Sequence, residues 1–157
     1  MKTVEYRRKA ENKTNYKKRL RLLLSRKPRL VVRKSNKNYT MQIIKYEPKG
    51  DKVISSASTT ELKKYGWKGA TSNTSAAYLA GYLLAKKAGS IEAVPDIGMH
   101  ASVKGAGIFA ALHGSKQGGI KINLNESILP DEKKIKANKN FENAKKAIEA
   151  AQWTKKK

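Results

Sequence analysis

From Asn12 to Tyr46 the chain has no acidic side chain, yet cationic residues there alternate with Leu, Val, Ile and Tyr. Charge of one sign on this scale stays solvated or meets a partner of opposite sign, so the elements that carry it must turn a cationic side outward. Residues 1–46 hold sixteen Lys or Arg and two Glu, a net of +14; residues 47–157 hold nineteen Lys and ten acids, a net of +9. All seven arginines (Arg7, Arg8, Arg19, Arg21, Arg26, Arg29, Arg33) lie in the first part. The planar fork of arginine grips phosphate through two bonds, whereas lysine is a flexible point charge. A merely solvated face accounts for scattered lysines but not for arginines confined to one fifth of the chain. The pattern points to a docking surface for a polyanion. A membrane-surface helix is a rival for residues 15–25 alone, but the basic stretch continues into an evident strand pair, which an interfacial helix does not need.

At 157 residues the chain suits one domain, with an arm or tail. A chain of this length buries about 70% of its unfolded surface, so it needs no cross-link. It has no cysteine, which removes disulfides, thiolate metal sites and a cysteine nucleophile and fits a reducing compartment. No apolar run approaches the ~20 residues of a membrane span, and the cluster Leu20 to Leu24 is too short for a signal-peptide core. The expectation is a soluble, intracellular, strongly basic protein with no membrane partner.

Residues 1–13 have almost nothing to bury and read as an extended arm ordered only on a partner. Thr14 is placed to cap a helix from about Asn15 to Ser25, with Tyr16, Leu20 and Leu23 on one face and Lys17, Lys18 and Arg21 largely elsewhere. Pro28 stops it. Arg29 to Lys34 and Tyr39 to Tyr46 read as a hairpin closed by Ser35-Asn36-Lys37-Asn38, and Lys52 to Ser58 as a third strand after the Pro48-to-Asp51 turn. A short helix from Thr60 breaks near Gly66. Asn73 or Thr74 then caps a helix reaching Lys87, with Gly89 at its C-terminal cap. Ile91 to Ile97 reads as a short strand whose Pro95 argues for an edge, a bulge or an early stop. A helix over about 104–113, a short strand at Ile120, Ile122 and Leu124, and a helical stripe of Phe141, Ala144, Ile148 and Ala151 complete the pattern, followed by a Lys155-Lys156-Lys157 tail read as disordered. The fold expected is α/β: a mixed sheet beginning with a three-stranded antiparallel meander, helices packed on it, and a basic N-terminal arm and helix. The divisions are 1–28 (arm and helix), 29–125 (α/β core) and 126–157 (C-terminal segment).

Enzyme readings find little support. His100 and His113 lack metal-ligand spacing. Asp96, near a strand end, reads as a turn-capping carboxylate rather than a catalytic one. Gly105 to Ala110 matches G-x-G-x-x-A, with Glu126 further on, but it does not follow a strand directly and comes late in the chain. Small residues opening a helix also serve close packing on the sheet. No cofactor is expected. A metal-dependent nuclease remains the enzyme alternative, without an evident acid cluster to hold the metal, and a free-standing DNA-compacting protein is an alternative of the binding class.

Arg26-Lys27-Pro28-Arg29-Leu30-Val31-Val32-Arg33-Lys34-Ser35-Asn36-Lys37, followed by Gln42-Ile43-Ile44, resembles the signature hairpin of a universal ribosomal protein family, the large-subunit family numbered eighteen. Asn12-Lys13-Thr14-Asn15-Tyr16, Arg19-Leu20 and Ser55-Ser56-Ala57-Ser58 extend the match. Tyr65-Gly66-Trp67, Asn73-Thr74-Ser75-Ala76-Ala77-Tyr78-Leu79 and Asp96-Ile97-Gly98 resemble its archaeal and eukaryotic branch. The chain has no long C-terminal extension of the eukaryotic kind, which favours an archaeal-type member. The resemblance implies a structural constituent of the large ribosomal subunit, in the cytoplasm. Such a protein binds 5S rRNA and joins it to the large-subunit rRNA in the central protuberance, beside a second 5S-binding ribosomal protein.

On that reading Arg7, Arg8, Lys9, Lys13, Asn15, Lys17, Lys18, Arg19 and Arg21 line 5S phosphates. Arg26, Lys27 and Arg29 hold RNA backbone where helix meets sheet, and Arg33, Lys34, Ser35, Asn36, Lys37 and Asn38 meet RNA at the hairpin. Ser35, Asn36 and Asn38 serve equally to close the turn. Tyr6, Tyr16 and Tyr39 are candidates for base stacking, Tyr16 also for the core. Lys68, Thr71 and Asn73 are a weaker candidate site for the other RNA. Arg33, on the strand face opposite Leu30 and Val32, is expected to be replaceable with Lys37 at little cost in stability.

Overall fold

A computed structural model describes residues 4–151. The lysine tail at 155–157 lies outside them. The β-branched and aromatic runs form a meander, β1 (Arg29–Lys34), β2 (Tyr39–Lys45) and β3 (Lys52–Ser58), and β4 (Val94–Asp96) adds to the other side of β1 in parallel, giving the order β3-β2-β1-β4. This is the mixed sheet expected. Register follows the period-two pattern: Val32 opposes Met41 and Met41 opposes Ala57, all buried on one face. Pro95 sits in an edge strand, where a missing N–H breaks no ladder.

The helices pack on that apolar face. Asn73, not Thr74, caps α3 (Thr74–Ala88), its side chain accepting from the Ala76 N–H at 2.7 Å. Residues 75–85 of α3 are all buried, between the sheet and α4 (Gly107–Gln117). α3 and α4 cross at backbone contact. A Cβ on Gly81 would lie 2.0 Å from the Ala111 carbonyl oxygen, and one on Gly114 would lie 2.0 Å from that of Tyr78. The Ser115 hydroxyl, fully buried at the crossing, donates to the Ala111 carbonyl at 3.0 Å. α5 (Glu132–Ile135) and α6 (Phe141–Ala150) close the far side of α3, and Phe141, Ala144 and Ile148 join the same buried cluster. Burial, with the nearby Lys116 charge, holds the His113 imidazole below its usual range, edge-on to Tyr78 at 5.5 Å. No helix among the described residues is long and apolar enough to cross a membrane.

Several expectations are corrected. The arm is not extended throughout: α1 (Arg7–Ala10) forms a single turn, and Tyr6 packs on Tyr16 with ring centres 5.3 Å apart. Asn15 caps α2 (Tyr16–Leu24), accepting from the Lys18 N–H at 2.9 Å, while Thr14 accepts from Arg8. α2 is rotated from the predicted face: Leu23 faces the domain as expected, but Leu20 is 62% and Leu24 73% exposed, and Lys18, Arg19 and Leu22 turn inward beside Leu23. Tyr39 belongs to the core. α4 begins three residues later than predicted, after a turn through Gly105, and the segment 120–124 makes only a single bridge, between Lys121 and Glu92.

The helix crossing generates a prediction. Replacing either Gly81 or Gly114 by Ala drives a methyl into a carbonyl that belongs to a regular helix and cannot swing away. Each should cost about 3 kcal/mol, roughly 6–12 °C in melting temperature for a chain of this size. A melt within 2 °C of the parent would show that the helices can separate freely.

Candidate nucleic-acid interface

Because α3 and α4 cover one side of the sheet, the other side carries what alternates with the core. Strand register sets three rows across it: Arg33–Thr40–Ser58, Val31–Gln42–Ser56 and Arg29–Ile44–Val53. Thr40 and Ser56 are exposed and Gln42 and Ser58 half-buried, so β2 and β3 present a polar, uncovered surface. Sequence reasoning missed these four residues. Their signal was present as polar members at every second position around Met41 and Ala57.

Over β1 and β4 the same face is covered by α2, and ion pairs hold it there. Arg29, 4% exposed, spans two carboxylates: Nη2 donates to Asp51 Oδ2 at 2.6 Å and Nη1 to Asp96 Oδ2 at 3.0 Å. Arg33 reaches the Asp96 Oδ1 at 3.2 Å and the Asp96 carbonyl at 2.8 Å. Arg19 of α2 joins Asp51 at 2.8 Å. Gly98 adopts φ +64°, and both of its backbone polar groups are used: its N–H donates to Asp96 at 2.8 Å and its carbonyl accepts from Lys18 at 2.9 Å. Asp96 is thus a capping carboxylate, as expected, and also the acceptor of two arginines. Its burial by itself pushes the carboxyl up, but Arg33, the Gly98 N–H and Arg29 together outweigh burial and hold it below the usual carboxylate range.

The predicted residues therefore divide. Arg29 is a buried bridge between aspartates, not a free phosphate ligand, because the strand that presents it lies under α2. Arg33 is half-exposed but committed to Asp96, so its replacement should cost stability, contrary to the sequence expectation. Arg8, Lys13, Asn15, Lys18, Arg19, Arg29 and Arg33 converge on one small cavity. Lys17 and Arg21 point away from the domain, exposed. Arg7 and Lys13 pair with Glu11, and Lys9 with Glu5. Lys27 turns aside to Glu92 at 2.5 Å, and Arg26 is exposed beyond the helix end with φ +54°.

At the hairpin, Ser35 and Asn38 do close the turn: the Ser35 N–H donates to the Asn38 carbonyl at 2.8 Å, and the Asn38 N–H to the Ser35 hydroxyl at 3.0 Å. Lys34, Asn36 and Lys37 stay exposed. Thr71 donates to the Lys37 carbonyl at 2.7 Å, so the hairpin tip and the loop bearing exposed Lys68 form one corner, while Asn73 is spent on capping α3. No group of three or more His, Asp or Glu among the described residues is placed to hold a metal ion.

Asp96 dictates a pH dependence. Its folded-state pKa lies below the unfolded value of about 3.9, so its contribution is present above that value and is lost as pH falls below it. Asp96→Asn should cost about 3 kcal/mol at neutral pH and flatten the acid side of the stability curve, measured by melts between pH 6 and 2. Parallel acid limbs for the two proteins would show the network contributes nothing.

Comparison with known proteins adds to this geometry. Residues 2–90 match the family described as "Ribosomal large subunit proteins 60S L5, and 50S L18". The large ribosomal subunit protein uL18 of Thermofilum pendens is 49% identical over 136 residues, covering 85% of this chain and 69% of that one. The proteins of the same name from Methanoregula boonei and Ignicoccus hospitalis are 46% and 50% identical, each over 85% of this chain and over 78% and 67% of their own.

Proposed function

The chain belongs to the family of large-subunit ribosomal proteins that includes 50S L18, in its archaeal form, and from that premise we propose that it binds 5S rRNA and anchors it to the large-subunit rRNA in the central protuberance. Its relatives are structural proteins of the cytoplasmic ribosome, not enzymes. The observation that carries the finer reading is the uncovered sheet face. Thr40, Gln42, Ser56 and Ser58 offer hydrogen-bonding groups without charge, with Lys34 and Lys37 exposed at the hairpin end of the same strands and Lys17 and Arg21 exposed on the outer side of α2. Cations fix position on the phosphate backbone and neutral polar groups accept or donate to sugars and base edges. In this reading Lys68, beside the hairpin tip, faces the large-subunit rRNA. The second 5S-binding protein meets the chain within the same assembly.

Lys17 and Arg21 make the cleanest test, since both are exposed and neither has a carboxylate partner among the described residues. Changing both to Gln should leave stability within ~0.5 kcal/mol and make the salt slope of 5S rRNA binding shallower by about one per contact. For the parent, neutralising roughly 6–10 phosphates implies an affinity loss of about 10³–10⁵ between 50 and 200 mM salt. A flat salt dependence, or duplex DNA competing as well as 5S rRNA in a gel, would overturn the assignment.

A further inference from the structure

Between the N-terminal arm, α2 and the sheet lies a cavity of about 120 Å³ walled by six cations: Arg8, Lys13, Lys18, Arg19, Arg29 and Arg33. Three carboxylates answer them: Asp96 in the wall, Asp51 beside Arg19 and Arg29, and Glu11 against Lys13. Six charges against three leave an excess of three.

Two of the cations meet no carboxylate among the described residues. Arg8 donates through Nε to the Thr14 hydroxyl at 2.9 Å, which leaves the terminal nitrogens of its fork available. Lys18 is partly buried and donates once, to the Gly98 carbonyl at 2.9 Å, whereas an ammonium has three donors. A partly buried cation with unused donors is stabilised by an anion beside it. Asn15, the cap of α2, borders the same cavity, so the positive end of that helix adds to the field. Size limits the anion. The volume suits one phosphate group with a few waters, at ~30 Å³ per water, and is well below the ~300–1,000 Å³ of sites that enclose larger ligands.

We propose that this cavity is a single-phosphate site that takes one backbone phosphate of the bound RNA and, by joining Arg8 to Lys18, closes the arm onto the domain. The proposal rests on the RNA-binding reading above. It goes beyond that reading in naming one enclosed phosphate, held by the arm, α2 and the sheet together, in place of a diffuse cationic surface. Arg8 suits a two-pronged contact and Lys18 a point contact from the opposite side. Asp96 and Asp51 hold Arg29, Arg33 and Arg19 in place, so the wall is built before the anion arrives.

The full chain is melted in inorganic phosphate and in chloride at equal ionic strength. Phosphate at about ten times its Kd should raise the melting temperature by roughly 3–6 °C. Arg8→Gln with Lys18→Gln should weaken phosphate binding on the order of 10-fold or more, read as loss of the phosphate-dependent rise relative to the variant's own melt in chloride, and Lys18→Arg should keep the effect. Adding 5S rRNA should displace the phosphate, seen as sharpening of its ³¹P resonance. Equal melts in the two salts, or a double variant that still responds, would overturn the site. Phosphate that stays bound in the presence of RNA would overturn its assignment to the RNA backbone. RNA binding is measured in parallel: a chain that binds 5S rRNA but ignores phosphate sinks this site alone, whereas one that binds no RNA sinks the functional reading as well.

Discussion

The cationic face of this protein depends on one buried carboxylate. Asp96 ends the edge strand β4, and through it Arg29 and Arg33 of β1, the Gly98 turn and, by way of that turn, Lys18 of α2 are tied to one point. Asp51, on the turn before β3, repeats the device with Arg29 and Arg19. Burying charges costs more than their attraction returns unless every partner is in place, so such a cluster specifies an arrangement more than it stabilises one. What it specifies is where α2 lies. Without the two aspartates, three arginines on adjoining elements would repel one another and α2 would have little to hold it, because none of its residues is fully buried.

The other half of the design is steric. The close crossing of α3 and α4 lets both helices fit over the apolar side of a four-stranded sheet, where Leu30, Val32, Met41 and Ile43 are completely enclosed. With the helices there, the opposite side of β2 and β3 has only water to meet. Such a surface, polar at its centre and with Lys34 and Lys37 exposed at its hairpin end, suits a polyanion. The lysine excess of the remaining chain adds solubility and attraction at long range but supplies no shaped site.

Much of this was legible in the chain. The β-branched runs at 29–34, 39–45 and 52–58, separated by Ser-Asn and Pro-Gly turns, gave the meander to within a residue, because local pattern and turn chemistry agree there. A cap at Asn73 or Thr74, the stop at Gly89 and the stripe of Phe141, Ala144 and Ile148 were equally plain, and the structure assigns the cap to Asn73. α2 was misread for a physical reason. Periodicity marks a face on Tyr16, Leu20 and Leu23, but the helix docks on a surface of aspartates, so it is Lys18 and Arg19 that turn inward with Leu22. The strand expected at 120–124 failed similarly: its alternation is real, since Ile120 and Ile122 are buried, but only Lys121 finds a strand partner.

By itself the sequence determined the class of fold, the family and the sign of the partner, since patterning, motif order and charge are properties of the chain wherever it lies. Tertiary structure alone decided which cations are free. Arg21 and Arg29 are chemically the same side chain eight residues apart, and both looked like phosphate ligands. One is exposed to solvent; the other is sealed beneath a helix between two aspartates that lie 22 and 67 residues away in sequence. A charge is available for binding only if its own fold does not neutralise it, and distant acids do that by coming close in space, which no local pattern records.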